Sequence, residues 1–356
     1  MGELTEDARS SGRSATDGVH QSACRSGKSS GEACAREATA VKTRVLGKTG
    51  LVVSEIGFGS MELRGPRIWD GRAVSPVQAD EILNAALDLG VNFIDTSPDY
   101  GQSEQYIGRF LSARRDEYIL ATKCGCHLVD KGAYDETTHV WTRRNILANV
   151  EESLERLRTD HVDILQLHNA TVEDVRQNEV MDVLQEIKDS GKARFIGVSS
   201  TWPDLLEFIN TAPLDTIQTT YSALDPSHQH MISAAKGKGM GTIVRGAVMK
   251  GAMTDLLQRN LVENIRKTLG MKELWESARL DELLEDMTPT EFLVRFALTH
   301  PDVNTVIIGT LNSEHLKGDL AAAKAGPLPN EMYEEAVRRL RLCGIRPAWT
   351  PQGRAD

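Results

Sequence analysis

Polar side chains that can hold or transfer protons follow successive predicted β-strands in the middle of the chain. Asp95 and Tyr100 come after the second strand, Lys123 after the third and His168 after the fourth. Each of these residue types, taken alone, is more often structural than catalytic. Four titratable groups at corresponding strand ends nevertheless indicate a site for proton transfer.

The elements that must bring these groups together alternate between short apolar strands and amphipathic helices. Strict alternation predicts a parallel sheet. Eight repeats favour an α/β fold closed into a (β/α)₈ TIM barrel, with a doubly wound open sheet as the alternative. The dinucleotide fingerprint of the open sheet is incomplete, because Glu62 stands where a third glycine should follow Gly57 and Gly59. In a barrel, catalytic groups lie just beyond the carboxyl ends of the strands.

The predicted boundaries follow from runs of apolar residues and from Pro and Gly at helix ends. We predict barrel strands at residues 55–59, 91–95, 118–122, 162–167, 194–198, 216–218, 242–244 and 304–308, preceded by a β-hairpin at 44–46 and 51–53. We predict helices at residues 76–90, 103–114, 143–157, 178–190, 203–210, 229–238, 289–299, 313–325 and 330–342.

Composition divides the chain into a tail of residues 1–43, a folded part of residues 44–343 and a C-terminal tail of residues 344–356. The first tail contains no aromatic residue and no isoleucine. It can bury too little apolar surface to offset chain entropy, so we expect it to be disordered. An insertion at 246–288 contains two helix-like stretches, 256–269 and 273–285, which could cover a cofactor or form an oligomer contact.

Charge and hydropathy exclude several classes of protein. The net charge of −10 gives the chain no excess of positive charge with which to attract nucleic acid or anionic lipid. No apolar run approaches the ~20 residues that a membrane span requires. Five cysteines in 356 residues do not make a disulfide framework. With no apolar signal segment visible, we expect a cytoplasmic location.

Four motifs together resemble the aldo/keto reductase superfamily. They are Phe-Ile-Asp-Thr-Ser-Pro-Asp-Tyr-Gly-Gln-Ser-Glu at 93–104, Thr-Lys at 122–123, Asp-Ile-Leu-Gln-Leu-His at 163–168 and Gly-Val-Ser-Ser at 197–200. The resemblance covers about residues 44–325. It implies a (β/α)₈ barrel that binds NADP(H) without a Rossmann domain. It also implies that the N-terminal hairpin plugs the bottom of the barrel.

The resemblance assigns a catalytic tetrad to Asp95, Tyr100, Lys123 and His168. Reduction of a carbonyl needs a hydride on carbon, which a nicotinamide supplies, and a proton on oxygen, which the protein supplies. Tyr100 is the implied proton donor. The Lys123 ammonium is expected to stabilise the phenolate and lower the tyrosine pKa, and Asp95 to hold the lysine. His168 is expected to polarise the carbonyl.

The resemblance also implies a set of cofactor contacts around the nicotinamide. Ser199, Ser200 and Gln218 match the positions that hold the carboxamide, although relatives usually have Asn where Ser200 stands. Arg245 replaces an aromatic residue that stacks on the nicotinamide in many relatives, and a guanidinium can also stack on a ring.

Further contacts are implied at the pyrophosphate and the adenosine. The matching positions are Gly246, Val248, Gly309, Thr310, Asn312, His315 and Asp319. Relatives usually hold the 2′-phosphate of NADP with an Arg or Lys in this last segment, but none stands here before Lys317. NADP is therefore the expected cofactor, with NAD left open. Asp319 occupies a position where relatives often use Asn against the adenine.

Three other features bear on the site. The Cys-Gly-Cys-His run at 124–127 lacks zinc-finger spacing and an evident fourth ligand, so we expect pocket lining and no metal. Met61, Trp69 and Trp141 are candidates for lining the substrate pocket, with surface packing as the alternative. Asp99, inside the tetrad motif, is interpreted as solvated.

The sequence thus predicts an NAD(P)H-dependent oxidoreductase that reduces an aldehyde or ketone to an alcohol, or catalyses the reverse reaction. The expected partner is a small-molecule carbonyl compound, with neither nucleic acid nor membrane involved. A homo-oligomer is left open. The alternatives are a sugar or enone reductase that uses the same tetrad, and a cofactor-binding regulatory subunit with little turnover.

Overall fold

A closed barrel of eight parallel strands organises the chain. The computed structural model describes residues 41–248 and 262–351, and within these ranges it contains twelve strands. The strands are β1 (Thr43–Val45), β2 (Val52–Ser54), β3 (Ile56–Gly59), β4 (Phe93–Asp95), β5 (Ile119–Cys124), β6 (Cys126–Asp130), β7 (Asp135–His139), β8 (Val162–His168), β9 (Ala193–Ser199), β10 (Thr216–Thr220), β11 (Gly241–Arg245) and β12 (Thr305–Ile308). The barrel order is β3-β4-β5-β8-β9-β10-β11-β12, and β12 pairs with β3 to close it. The predicted (β/α)₈ barrel is confirmed.

Helices surround the barrel and connect its strands. They are α1 (Pro76–Asp88), α2 (Ser103–Leu111), α3 (Arg143–Leu157), α4 (Val172–Gln177), α5 (Val180–Asp189), α6 (Asp204–Thr211), α7 (Gln229–Gly237), α8 (Val262–Ser277), α9 (Pro289–Thr299), α10 (Ser313–Ala325) and α11 (Asn330–Leu342). No helix in the described ranges is both long and apolar enough to span a membrane.

Helix α1 shows how the sequence sets these boundaries. The Ser75 side chain accepts a hydrogen bond from the backbone N–H of Gln78, and Pro76 occupies the first turn, where no N–H is needed. The apolar residues Ile82, Leu83 and Ala86 recur at helical spacing and are buried against the barrel. The polar positions between them face solvent.

The N-terminal hairpin β1–β2 closes the amino end of the barrel. Its buried residues Leu46, Leu51 and Val53 pack against barrel residues that include Phe93 and Ile243. Gly47, at the turn, has a φ of +50°, and a Cβ there would lie 2.2 Å from the backbone nitrogen of Gly241. Only glycine allows this approach. The hairpin therefore forms the predicted plug.

The structure differs from the predicted elements in three described places. Helix α4 lies in a segment where no helix was predicted. The segment after β5 folds into a second hairpin, β6–β7, in which Cys126 is paired with His139; the sequence analysis predicted no strands there. The two helix-like stretches predicted in the insertion are separated at residues 270–272. Helix α8 continues through these residues, so the predicted break is wrong. Part of the insertion and most of the 1–43 tail lie outside the described residues, and the domain boundaries stay predictions.

Candidate active site

The Lys123 ammonium is buried at the carboxyl end of β5 and paired with a carboxylate. Its Nζ lies 2.7 Å from Oδ2 of Asp95, which ends β4, and donates to the carbonyl oxygen of Thr96 at 2.8 Å. Both side chains are at most 2% exposed. Burial lowers the pKa of Lys123, but Asp95, Tyr100 and Asp99 together raise it by more, so the net shift of the pKa is upward. The ammonium therefore stays charged at neutral pH.

The second oxygen of the Asp95 carboxylate accepts hydrogen bonds from two amides, one on β8 and one on β10. Oδ1 accepts from Nε2 of Gln218 at 2.7 Å and from Nε2 of Gln166 at 3.0 Å. The Ser199 hydroxyl in turn donates to Oε1 of Gln218 at 3.0 Å. The sequence analysis singled out Ser199 and Gln218 for the cofactor and missed Gln166, which lies inside the quoted β8 motif. Strands β8, β9 and β10 thus fix the orientation of Asp95.

Tyr100 lies against the lysine, at the end of the loop after β4. The Lys123 Nζ is 4.8 Å from the centre of the Tyr100 ring, and the tyrosine is 8% exposed. Burial raises the pKa of Tyr100 to about 12, although Lys123 acts to lower it. Lys123 thus acts on the tyrosine in the expected direction, but the net shift is upward, because the loss of hydration exceeds the stabilisation by one ammonium. The phenol is fully protonated at neutral pH.

His168 is the fourth residue of the predicted tetrad, and it lies beside Asp99. The His168 ring meets the Tyr100 ring edge to face, with centres 6.0 Å apart. Its Nδ1 lies 3.1 Å from Oδ2 of Asp99, which is 1% exposed and receives a 2.6 Å hydrogen bond from Ser97 at Oδ1. Burial lowers the pKa of His168, which favours the neutral imidazole. Asp99 is not solvated as expected, because the loop turns its carboxylate inward towards His168.

The surroundings of the Asp99 carboxyl stabilise its ionised form. Burial raises its pKa, but His168, Ser97 and Lys123 together bring the pKa of Asp99 down to about 2. Two negative groups, Asp95 and Asp99, therefore flank the single Lys123 ammonium below the barrel mouth.

Aromatic side chains above the tetrad come from two loops. Trp69 meets Tyr100 edge to face at 6.1 Å and is 43% exposed. Trp141, which follows β7, is buried and stacks on His139. The structure thus places Trp69 at the mouth and Trp141 beneath the β6–β7 hairpin, while Met61 is partly exposed in the turn after β3.

The residues assigned to the nicotinamide and pyrophosphate line the neighbouring strand ends. Ser200 follows β9, and Arg245 ends β11 with a half-buried side chain. The positive charge of Arg245 acts to lower the pKa values of both Tyr100 and His168, which places it near the tetrad. Gly246 has a φ of +74° and Val248 is partly buried.

The segment assigned to the adenosine phosphate leads into α10. Gly309 lies so close to the Gly59 carbonyl oxygen that a Cβ would be 2.7 Å from it. Thr310 accepts from the backbone N–H of Asn312, whose own side chain caps α10 by accepting from the N–H of Glu314. His315 is exposed in the first turn of that helix.

Asp319, one turn further along α10, is 5% exposed, and burial raises its pKa to about 7. An unfolded aspartate titrates near ~3.9, so the unfolded chain loses this proton first as pH rises, and stability falls between those two values. We expect Asp319→Asn to raise the free energy of unfolding near pH 8 by up to about 4 kcal/mol. The gain should shrink towards pH ~4.

Urea unfolding of the cofactor-free protein at several pH values tests this expectation. Glu314→Gln, an exposed carboxylate on the same helix, is the control and should change stability little at any pH. A gain from Asp319→Asn that is the same near pH ~5 and pH ~8 would contradict the assignment of a raised pKa to Asp319.

Comparison with known proteins agrees with this geometry. The model of the aldo/keto reductase family matches residues 55–339. The chain belongs to the aldo/keto reductase family. It is 29% identical over 313 residues to an uncharacterized oxidoreductase of Bacillus subtilis, YqkF, covering 85% of this chain and 96% of that one. It is 28% identical over 303 residues to the NADH-specific methylglyoxal reductase of Escherichia coli, covering 78% and 92%.

A solved structure of the family shows the same fold. The holo form of aldo-keto reductase AKR11C1 from Bacillus halodurans superposes with a TM-score of 0.72 at 29% identity, covering 88% of this chain and all of that one. As an aldo/keto reductase, the protein is an oxidoreductase of a family that binds nicotinamide cofactors.

Proposed function

We propose that this aldo/keto reductase reduces an aldehyde or ketone to an alcohol with a reduced nicotinamide cofactor, using Tyr100 as the proton donor. The observation that carries the proposal is the buried Lys123–Asp95 pair directly beside the Tyr100 ring. A buried ion pair is costly to maintain for stability alone. Beside a phenol it supplies a fixed positive charge where negative charge develops.

The bound cofactor supplies the hydride in this reaction, and side chains of the protein transfer the proton. The Tyr100 hydroxyl donates its proton to the carbonyl oxygen as negative charge builds there. Lys123 uses two of its three N–H donors on Asp95 and Thr96 and stabilises the phenolate left behind. His168, with Nδ1 turned towards Asp99, presents Nε2 to polarise the carbonyl.

The protonation state of Tyr100 suits the role of a proton donor. A pKa of about 12 keeps the phenol protonated at neutral pH. In the reverse reaction, the oxidation of an alcohol, the phenolate of the same residue would act as the base.

The residues assigned to the cofactor fit a dinucleotide. Ser199 and Ser200 offer hydroxyls beside the tetrad, and the half-buried Arg245 guanidinium has the planar shape to lie on the nicotinamide ring. The amino end of α10, which the Asn312 side chain caps, suits the adenosine phosphate. Asp319 would accept from the adenine amino group.

The choice between NADPH and NADH depends on the segment before α10. A 2′-phosphate normally takes a charge-assisted hydrogen bond, worth about 1.5–3 kcal/mol, or roughly tenfold or more in affinity. Here the only cationic candidate between residues 309 and 315 is His315, and the relative from Escherichia coli is named as NADH-specific. We expect a preference for NADPH of less than ~100-fold, because no arginine or lysine stands in this segment to bind the phosphate.

Dissociation constants for both cofactors, measured by tyrosine and tryptophan fluorescence, check this preference. His315→Ala should reduce the preference for NADPH and leave NADH affinity unchanged. Lys317→Ala is the matched control, because Lys317 is paired with Glu314 at 2.7 Å. A preference far above ~100-fold would mean that another cation reaches the phosphate.

The proposed activity itself is tested by a substrate screen that follows the absorbance of NADPH and NADH in parallel. The panel contains aldoses, aryl aldehydes, simple ketones, dicarbonyls and enones. Oxidation of the cofactor by at least one carbonyl class, with formation of the matching alcohol, supports the proposal. Cofactor binding without turnover of any carbonyl class would contradict the proposed activity. It would favour the alternative of a cofactor-binding regulatory subunit.

A further inference from the structure

Four side chains beside the tetrad form a cluster with the donors of a metal site. Asp99, Cys126, His139 and His168 each offer one ligand atom, and these atoms lie within 4.8 Å of one another. Asp99 and Cys126 are 1% exposed, His168 is 7% exposed, and His139 is partly buried. The cluster uses Cys126 from the Cys-Gly-Cys-His run, whereas Cys124 and His127 stand outside it.

Two donor atoms of the cluster have unused bonding capacity. Oδ2 of Asp99 and Nε2 of His139 are buried and have no hydrogen-bond partner. Nδ1 of His168 lies 3.1 Å from that oxygen, but the pair lacks hydrogen-bond alignment. Leaving a buried carboxylate oxygen unsatisfied is costly, so such an atom calls for an explanation.

We propose that Asp99, Cys126, His139 and His168 form a binding site for a divalent zinc-type metal ion. This site goes beyond the proposed reductase activity.

The distances suit tetrahedral coordination. Bond lengths of ~2.0–2.3 Å around zinc place neighbouring donor atoms about 3.3–3.6 Å apart. Here Nδ1 of His168 lies 3.1 Å from Oδ2 of Asp99 and 3.3 Å from Sγ of Cys126. Nε2 of His139 is 3.9 Å from the same Asp99 oxygen. All four donor atoms lie within 4.8 Å of one another, so the His139 nitrogen would move closer to the other three when the ion binds.

The backbone and outer partners hold these donors in place. Cys126 and His139 face each other across the β6–β7 hairpin as a paired register position. The Asn145 side chain donates to the Cys126 carbonyl oxygen at 3.2 Å and so ties the base of the hairpin to α3. The Ser97 hydroxyl engages Oδ1 of Asp99, which leaves Oδ2 for a metal. Such outer-shell bonds orient metal ligands.

The donor set selects the kind of ion. One sulfur, two imidazole nitrogens and one carboxylate oxygen suit Zn²⁺ and its spectroscopic substitute Co²⁺, whereas Mg²⁺ and Ca²⁺ prefer oxygen ligands alone. A thiolate and a carboxylate would also balance the two positive charges of the ion. The site would then be neutral overall, which suits its burial.

If the proposed function is right, a metal ion bound at this site would affect the role of His168. A metal on Nδ1 leaves the proton on Nε2, which is the nitrogen proposed to donate to the substrate carbonyl. The metal would therefore fix the tautomer that the reduction uses. Binding itself does not depend on this assumption, so the test reads the metal directly.

Cobalt titration of the full-length protein, first freed of metal by dialysis against a chelator, tests the site. We expect one tightly bound Co²⁺ per chain, with intense visible bands of tetrahedral cobalt and a near-ultraviolet thiolate-to-cobalt charge-transfer band. Zn²⁺ should displace it stoichiometrically. Cys126→Ser should abolish the charge-transfer band, and His139→Gln should weaken affinity by at least ~10–100-fold.

The matched controls are Cys124→Ser and His127→Gln, which change a neighbouring thiol and imidazole outside the cluster. Both should bind cobalt as the wild type does. His139→Gln alters a partly exposed residue at the end of β7, so it tests the site even if Cys126→Ser fails to fold. Absence of tetrahedral cobalt in the wild type, or a spectrum unchanged in His139→Gln, would overturn the proposal, whatever the enzyme does with carbonyl compounds.

Discussion

Replacing Tyr100 by phenylalanine is expected to lower kcat by at least ~10²-fold, the usual size of general acid catalysis. The substitution removes one hydroxyl from a ring that is 8% exposed, and it leaves the aromatic contacts with Trp69 and His168 in place. Cofactor dissociation constants should be nearly unchanged. Steady-state kinetics with the best substrate of the screen, together with cofactor binding, give the measurement.

Tyr118→Phe is the matched control. Tyr118 is also buried, and its hydroxyl has no hydrogen-bond partner in the structure, so its removal should leave both kcat and stability unchanged. Turnover of Tyr100→Phe at the wild-type rate would show that another group protonates the substrate, and the role proposed for Tyr100 would be wrong.

Replacing Lys123 by methionine is expected to affect stability and activity together. The substitution leaves the Asp95 carboxylate buried without its partner, which costs about 3–5 kcal/mol in free energy of unfolding. Activity should also fall steeply, because no positive charge is left to stabilise the Tyr100 phenolate. Urea unfolding and steady-state kinetics measure the two effects separately.

A second substitution separates these effects. Adding Asp95→Asn to Lys123→Met removes the uncompensated charge, while an asparagine oxygen can still accept from Gln166 and Gln218. The double variant should regain most of the lost stability and none of the activity. Recovery of activity along with stability would show that Lys123 serves the fold rather than the reaction.

A lysine in a more exposed pair provides the control for these measurements. Lys188 contacts Asp215 at 2.8 Å, but its side chain is 31% exposed. Lys188→Met should therefore change the free energy of unfolding by less than ~1 kcal/mol and leave kcat unchanged.

Most of the barrel could be predicted from the sequence because its signals are local. Strands such as β12, Thr-Val-Ile-Ile, are short apolar runs, and helices such as α1 begin at a capping serine followed by proline. Alternation of the two then implies a parallel sheet, and the predicted tetrad falls at the strand ends. The β6–β7 hairpin escaped prediction because β7, Asp-Glu-Thr-Thr-His, is polar throughout and carries no alternating apolar pattern.

The interior of the site depends on contacts that the sequence does not encode locally. Asp99 is surrounded by polar residues in the chain, which favoured a solvated interpretation. It is buried because the loop turns it towards His168, 69 residues away by number. The pKa of Tyr100 likewise depends on a balance between burial and the charge of Lys123, which only the folded structure decides.

The fate of the transferred hydride tests the proposed reaction most directly. NADPH and NADH deuterated at the transferable position are incubated with the active carbonyl substrate, and the product is analysed by NMR and mass spectrometry. The proposal predicts one deuterium on the carbinol carbon, with the oxygen-bound hydrogen drawn from solvent, and at least ~10²-fold slower labelling in Tyr100→Phe. Deuterium on the β-carbon of an enone, or no label in any product, would contradict carbonyl reduction as the function of this site.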